Sequence, residues 1–209
     1  MRLASLLVVL LLTCLPVDPS LAQYAPTPPP STYVGIPSVD FAPSAQKNSN
    51  WCWAASIQMV MNHYGVALSQ EQIVARTYGV DPYGNLPNWT AHIPQIHANL
   101  NHYSQDSDGR PYRVTARMGW GAPVPAVLLD ELNRGHPVIV GYRSGPNSAH
   151  AIVITAARYT MTPRGPMILA LVGRDPWPSS QNLANRGRVE IPGDRLAQAI
   201  MAHWYTRVD

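Results

Sequence analysis

A switch of periodicity near residue 135 limits the architectures open to this chain. Upstream of it, apolar residues recur at helical spacing between helix start and stop signals. Ser49 or Asn50 can cap a helix that begins near Trp51 and ends at Gly65. Trp53, Ile57, Val60, Met61 and Tyr64 fall on one face of it. Ser69 with Gln72 reads as a capping box for a second helix that stops at Gly79. A third helix is predicted over residues 92–102, with Pro94 in its first turn, and a fourth over 124–134, closed by Gly135. Downstream, residues 137–142, 151–157 and 167–172 are apolar, β-branched runs bounded by turn residues. Residues 113–117 form a shorter, mixed run, and Asp194 is placed to cap a last helix through His203. Helices first and strands later predict an α+β domain, a helical half packed on a mostly antiparallel sheet half.

The length of 209 residues suits one such domain. The first residues have the form of an export signal: Arg2, then an uncharged apolar stretch over 3–15, then Ser20-Leu21-Ala22. Cleavage is expected after Ala22, giving a secreted or periplasmic protein. Leu11-Leu12-Thr13-Cys14 also has a faint lipoprotein pattern, but threonine before the cysteine fits it poorly. Residues 23–33 are proline-rich and read as an extended linker, and 34–209 as the folded domain. No later run is long and apolar enough to suggest membrane insertion. The formal net charge of +3 comes from scattered arginines with one lysine, Lys47, so no basic run points to nucleic acid.

If the signal is removed, Cys52 is the one cysteine left, because the chain has two and the other is Cys14. A lone thiol in an oxidising compartment is either a small buried hydrophobe or a reactive group. Cys52 falls in the first turn of the predicted helix, where unpaired N–H groups and the helix dipole favour a thiolate. It also sits off the Trp53 stripe, sharing a face with Ser56, Met59 and His63.

A thiolate needs a base, and seven histidines are available. His92, His97 and His102 are five apart, which does not converge on one helix face as metal ligands would. His63 is eleven residues along the same helix, about 16 Å away. His150 follows a loop and opens the strand Ala151-Ile152-Val153-Ile154. If that strand and 167–172 form a hairpin centred near residue 162 or 163, His150 faces Asp175. The carboxylate would then fix the imidazole tautomer and leave the other nitrogen for the thiol. Gln46, six positions before Cys52, is placed to donate to an oxyanion beside the Cys52 backbone N–H. Trp177 either shields the His–Asp bond or packs in the core.

These residues resemble the papain-like cysteine proteases. Gln46 followed by Trp51-Cys52-Trp53-Ala54-Ala55-Ser56 is similar to the family's oxyanion glutamine and Cys-Trp-Ala-x-Ser helix start. His150-Ala151-Ile152-Val153-Ile154 resembles the strand opened by the catalytic histidine, and Asp175-Pro176-Trp177-Pro178 the segment with the third member. The short length and the aspartate look most like the bacterial avirulence-protein and bacteriocin-processing branches, as does Gly135-His136-Pro137-Val138-Ile139-Val140. The resemblance runs over about residues 40–180. Disulfides and a large prodomain, known in papain relatives, have no counterpart here.

The resemblance implies a papain-like fold and a thiol peptidase acting on peptides or proteins, through Cys52, His150, Asp175 and Gln46, with no metal or organic cofactor. The same thioester chemistry would also serve a deamidase, an acyltransferase or a cell-wall peptide amidase. A silent peptide-binding module is the alternative outside enzymology. Nothing in the sequence speaks to oligomeric state.

Overall fold

The computed structural model describes residues 30–36, 44–180 and 186–209. The predicted signal at 1–22, Cys14 and the linker residues 23–29 lie outside the described residues. In chain order the elements are β1 (Thr32–Gly35), α1 (Cys52–His63), α2 (Gln70–Tyr78), α3 (Ile93–Asn99) and β2 (His102–Gln105). There follow β3 (Pro111–Trp120), α4 (Pro125–Asn133), β4 (Val138–Gly145), β5 (Ser148–Thr162) and β6 (Gly165–Arg174). The chain ends with β7 (Arg188–Pro192), α5 (Gly193–Ala199) and β8 (Ile200–Val208).

The described strands form one antiparallel sheet in the order β2-β3-β8-β4-β5-β6-β7, with β1 paired to β5 beyond the end of β4. The fold is thus the expected α+β type. Helix α1 packs on β4 and β5, α2 on α1, and α3 on α2. Helices α4 and α5 lie against β4 and β6. Among the described residues no helix is long and apolar enough to cross a membrane.

The local signals explain several boundaries. Ser69 Oγ accepts from the Gln72 N–H, and Gln72 Oε1 accepts from the Ser69 N–H, so the capping box starts α2 where expected. Gly65 has φ +75°, a left-handed conformation that glycine adopts without a Cβ penalty, and it ends α1 as expected.

Other expectations need correction. The N-cap of α1 is Trp51, with no side-chain cap bond. Ser49 and Asn50, the predicted caps, bond instead to Asn88. The expected division of α1 into a buried stripe and a separate Cys52 face does not hold, because the helix is buried nearly all round. Ser56 and Met59 on the second face are fully enclosed, and Cys52 is only 7% exposed. Burial of side chains such as Trp53, Ile57 and Met59 contributes about 1.5–3 kcal/mol each. This anchors the helix that carries the thiol.

The third helix stops at Asn99, and His102 begins β2, paired to β3 at Val114. The last helix covers only Gly193–Ala199, and the residues after it form β8 between β3 and β4. Trp204, fully buried there, pairs with Met118 on one side and Ile139 on the other. Two strands offering open edges decide the conformation of this segment. Thr32 and Tyr33, expected in the linker, are part of β1 and pair with Tyr159 and Arg158.

Candidate active site

Three segments meet at the N-terminal end of α1. Cys52 is the first residue of that helix, so its backbone N–H has no partner within the helix. The chain reaches it through a turn closed by the Trp51 N–H to Asn48 O bond at 3.1 Å. His150 lies in β5, and Asp175 follows directly after β6. The Gln46 N–H donates to Pro176 O at 2.8 Å, which ties the approach to the helix to the segment carrying Asp175.

His150 Nε2 is 2.7 Å from Asp175 Oδ1, and the imidazole lines one cavity with the Cys52 thiol, near enough for each to act on the other's charge. With Nε2 committed to the carboxylate, Nδ1 is the ring nitrogen left for sulfur. Asp175 is held in turn: Oδ1 accepts from the Trp177 N–H at 2.8 Å, Oδ2 from Ser180 Oγ at 3.3 Å, and its own N–H donates to Gly187 O at 2.8 Å. The sequence therefore identified three residues that the fold brings together in the expected order.

The route by which they meet differs from the one expected. The β5–β6 hairpin closes at Thr162 opposite Gly165, and its register shifts twice, near Ile154 and Arg158. The ladder ends at Val153 opposite Arg174. A continued ladder would set Ile152, not His150, opposite Asp175. The carboxylate reaches the imidazole from the chain leaving the sheet, and the direct cross-strand partner of His150 is Tyr142 in β4.

Electrostatics couple the groups. Burial disfavours a charge on His150 and is the largest single effect. The hydrogen bonds to Asp175 and Cys52 and the two attractive charges together outweigh it, raising the imidazole from 6.5 to about 9. Burial also opposes ionisation of Asp175, but hydrogen bonds from His150 and the Trp177 N–H bring its carboxyl below its ordinary value. Burial, then the charges of Asp175 and Cys52, push the Tyr142 phenol up to about 12, which keeps it neutral. Its ring meets the His150 ring edge to face at 5.8 Å.

Trp177 also meets the His150 ring edge to face, at 6.3 Å, while remaining 46% exposed. It thus flanks the imidazole from the solvent side rather than packing in the core. Gln46 is buried, and its Nε2 is held by the carbonyls of Asn48 and Ser49 at 3.0 and 2.8 Å. The amide is directed into the turn before the helix and does not line the cavity beside Cys52. That cavity, about 470 Å3, is walled by Ser49, Asn50, Thr90, Ser144, Ser148, Ala149 and Trp177 around Cys52, His150 and Asp175. A recess of about 40 Å3 behind it is lined by apolar groups, including Trp53, Ile93, Ile96 and Trp204.

Three of the other histidines are engaged elsewhere. His63 Nε2 is 2.8 Å from Gly135 O, His203 Nδ1 is 2.8 Å from Gly121 O, and His136 contacts Glu131. Among the described residues no group of three His, Cys, Asp or Glu side chains is arranged to hold a metal ion. Sequence reasoning missed Ser180, Tyr142 and Asn88. Ser180 ends a single 3-10 turn and Asn88 sits in a loop, neither with a periodic signal, and Tyr142 shows its relevance only through the β4–β5 register.

No curated protein matches the chain in sequence. Among solved structures, a C39-like peptidase candidate from Bacillus anthracis is 14% identical and superposes with a TM-score of 0.51, over 83% of this chain and 97% of that one. The peptidase domain of Streptococcus ComA, a bifunctional ABC transporter of a quorum-sensing pathway, is 16% identical with a TM-score of 0.49, over 78% and 95%. A double-glycine-motif protease of an AMS/PCAT transporter, solved with a leader peptide, is 16% identical with a TM-score of 0.44, over 78% and 87%. At these identities the likeness to the Bacillus protein concerns the fold. The family model of the Peptidase_C39 like family matches residues 38–187, most of the chain and all three segments of the site. The chain therefore belongs to the Peptidase_C39 like family, whose fold is that of the papain-like cysteine proteases.

Proposed function

We propose that this chain is an exported cysteine peptidase that hydrolyses peptide bonds through a thioester on Cys52. The observation that carries the reading is the His150–Asp175 pair, 2.7 Å apart, lining one open cavity with the Cys52 thiol. The sulfur, its proton held on His150 Nδ1, attacks the carbonyl carbon of a bound peptide. The oxyanion takes hydrogen bonds from the Cys52 N–H and from the Gln46 amide, once one of its N–H groups leaves the Asn48 or Ser49 carbonyl. His150 then gives the proton to the leaving amine. Water, deprotonated by the same imidazole, attacks the thioester and restores the thiol. Asp175 holds the ring and its positive charge throughout. Export rests on Arg2, the apolar stretch over 3–15 and Ser20-Leu21-Ala22.

The test is incubation of wild type and Cys52→Ala with an unfolded protein, followed by mass analysis. New termini with wild type and none with Cys52→Ala support the reading. Unit mass gains in place of new termini would assign the thioester to deamidation. Absence of any product, together with slow alkylation of Cys52 at mildly acidic pH, would mark a silent peptide-binding module.

A further inference from the structure

Helix α1 begins without a side-chain cap, yet its first residue must be set to a fraction of an ångström for sulfur chemistry. The restraint comes from outside the helix. Asn88, in the loop between α2 and α3, spends its polar groups on the two residues ahead of Trp51. Its Oδ1 accepts from the Asn50 N–H at 3.0 Å, its Nδ2 donates to Ser49 Oγ at 2.9 Å, and its carbonyl accepts from Asn50 Nδ2 at 2.9 Å.

Two indoles flank this contact: Trp51 Nε1 donates to Pro87 O at 3.0 Å and Trp53 Nε1 to Trp89 O at 3.2 Å. The loop is itself braced. Asp81 Oδ1 accepts from the N–H groups of Tyr83 and Asn85, and the Trp89 ring stands edge-on to Tyr78 at 5.3 Å.

We propose that Asn88 is a positioning residue for the thiol site, a clamp that fixes the turn before α1 and so aims the Cys52 N–H. The proposal rests on reading Cys52 as the nucleophile. Asn88 does not line the cavity and acts through Ser49 and Asn50, which do. Gln46 grips the same turn from inside, through the carbonyls of Asn48 and Ser49. Asn88 is exposed, so its loss strands no buried partner and costs little global stability. Misplacement of the turn falls on the transition state, because the Cys52 N–H, an oxyanion donor, follows directly from it.

The test compares wild type, Asn88→Ala and Asn88→Asp in the full chain by amide hydrogen exchange and by peptidase kinetics. Asn88→Ala should speed exchange across residues 46–52 while leaving the sheet unchanged. It should lower kcat about tenfold to a hundredfold, with KM changed less than about twofold. Alkylation of Cys52 should stay near the wild-type rate, since sulfur needs no oxyanion donor for that reaction. Asn88→Asp should recover most of kcat, because its carboxylate still accepts from the Asn50 N–H and Ser49 Oγ can turn to donate.

Unchanged exchange at 46–52, an intact kcat in Asn88→Ala, or an Asn88→Asp enzyme as slow as Asn88→Ala would each overturn the clamp. A wild type that releases no peptide fails the peptidase reading instead, and exchange alone then decides whether Asn88 holds the turn.

Discussion

Asp175 Oδ1 lies 2.7 Å from His150 Nε2 and is kept there by the backbone N–H of Trp177, 2.8 Å away on the same oxygen. The carboxylate is thus aimed by the chain itself, and its charge is available to the imidazole. Asp175→Ala removes the acceptor and the charge together. The expected result is a loss of about a hundredfold in kcat/KM and a lower pKa for His150, which then loses its proton at lower pH. Asp175→Asn, which keeps an acceptor oxygen, should lose less. Steady-state kinetics on one peptide substrate check both.

The pH dependence follows from the same pair. His150 holds its proton up to about pH 9, against an ordinary value of 6.5. Peptidase activity should therefore remain through neutral pH and fall as pH rises through about 9. The native state binds this proton more tightly than the unfolded chain. The resulting stabilisation is fully present below 6.5 and fades between 6.5 and about 9. The difference in thermal midpoint between wild type and His150→Gln should be largest near pH 6 and shrink towards pH 10. A constant difference would sink the claim.

A stability prediction concerns Gly119 in β3. A Cβ there would lie under 3.0 Å from the imidazole of His203, a buried ring held by its Nδ1 contact with Gly121 O. The ring has little room to yield, so Gly119→Ala should cost about 1–3 kcal/mol by overpacking. Denaturant unfolding measures it, and thiol reactivity should be kept, because β8 and β4 separate β3 from the strand that carries His150.

Glu131 in α4 is a buried carboxylate with Arg207 at 2.6 Å, His136 at 3.2 Å and Arg117 at 3.9 Å. Its loss leaves Arg207 and Arg117 without their counter-charge and His136 without its hydrogen-bond partner. Since Arg207 and Arg117 reach solvent, the expected cost of Glu131→Ala is about 2 kcal/mol rather than that of a sealed ion pair. A drop in thermal midpoint with unchanged kcat would bear this out.

Local chemistry carried much of the architecture. Ser69 with Gln72, Gly65 and the β-branched runs of β4 to β6 each marked an element that the fold contains. Residues 200–208 escaped because their conformation is set by β3 and β4 on either side, not by their own pattern. Cys52, His150 and Asp175 were legible because each sits at the end of a regular element. Their contact could not be derived from register counting, since the two shifts between β5 and β6 move the pairing away from the simple hairpin. Nothing in the sequence around Asn88 points to Ser49 and Asn50, and its hold on them shows only in its bonds.

The bond from Asn88 Nδ2 to Ser49 Oγ bears on how this protein is made. Asn88-Trp89-Thr90 is an acceptor triplet for N-linked sugar, and that same nitrogen is where the glycan would be attached. Material secreted from a eukaryotic host can acquire an oligosaccharide at the contact that steadies the approach to α1, whereas cytoplasmic bacterial expression leaves it bare. Preparations from the two hosts are therefore not interchangeable in kinetic work until their mass at this position has been measured.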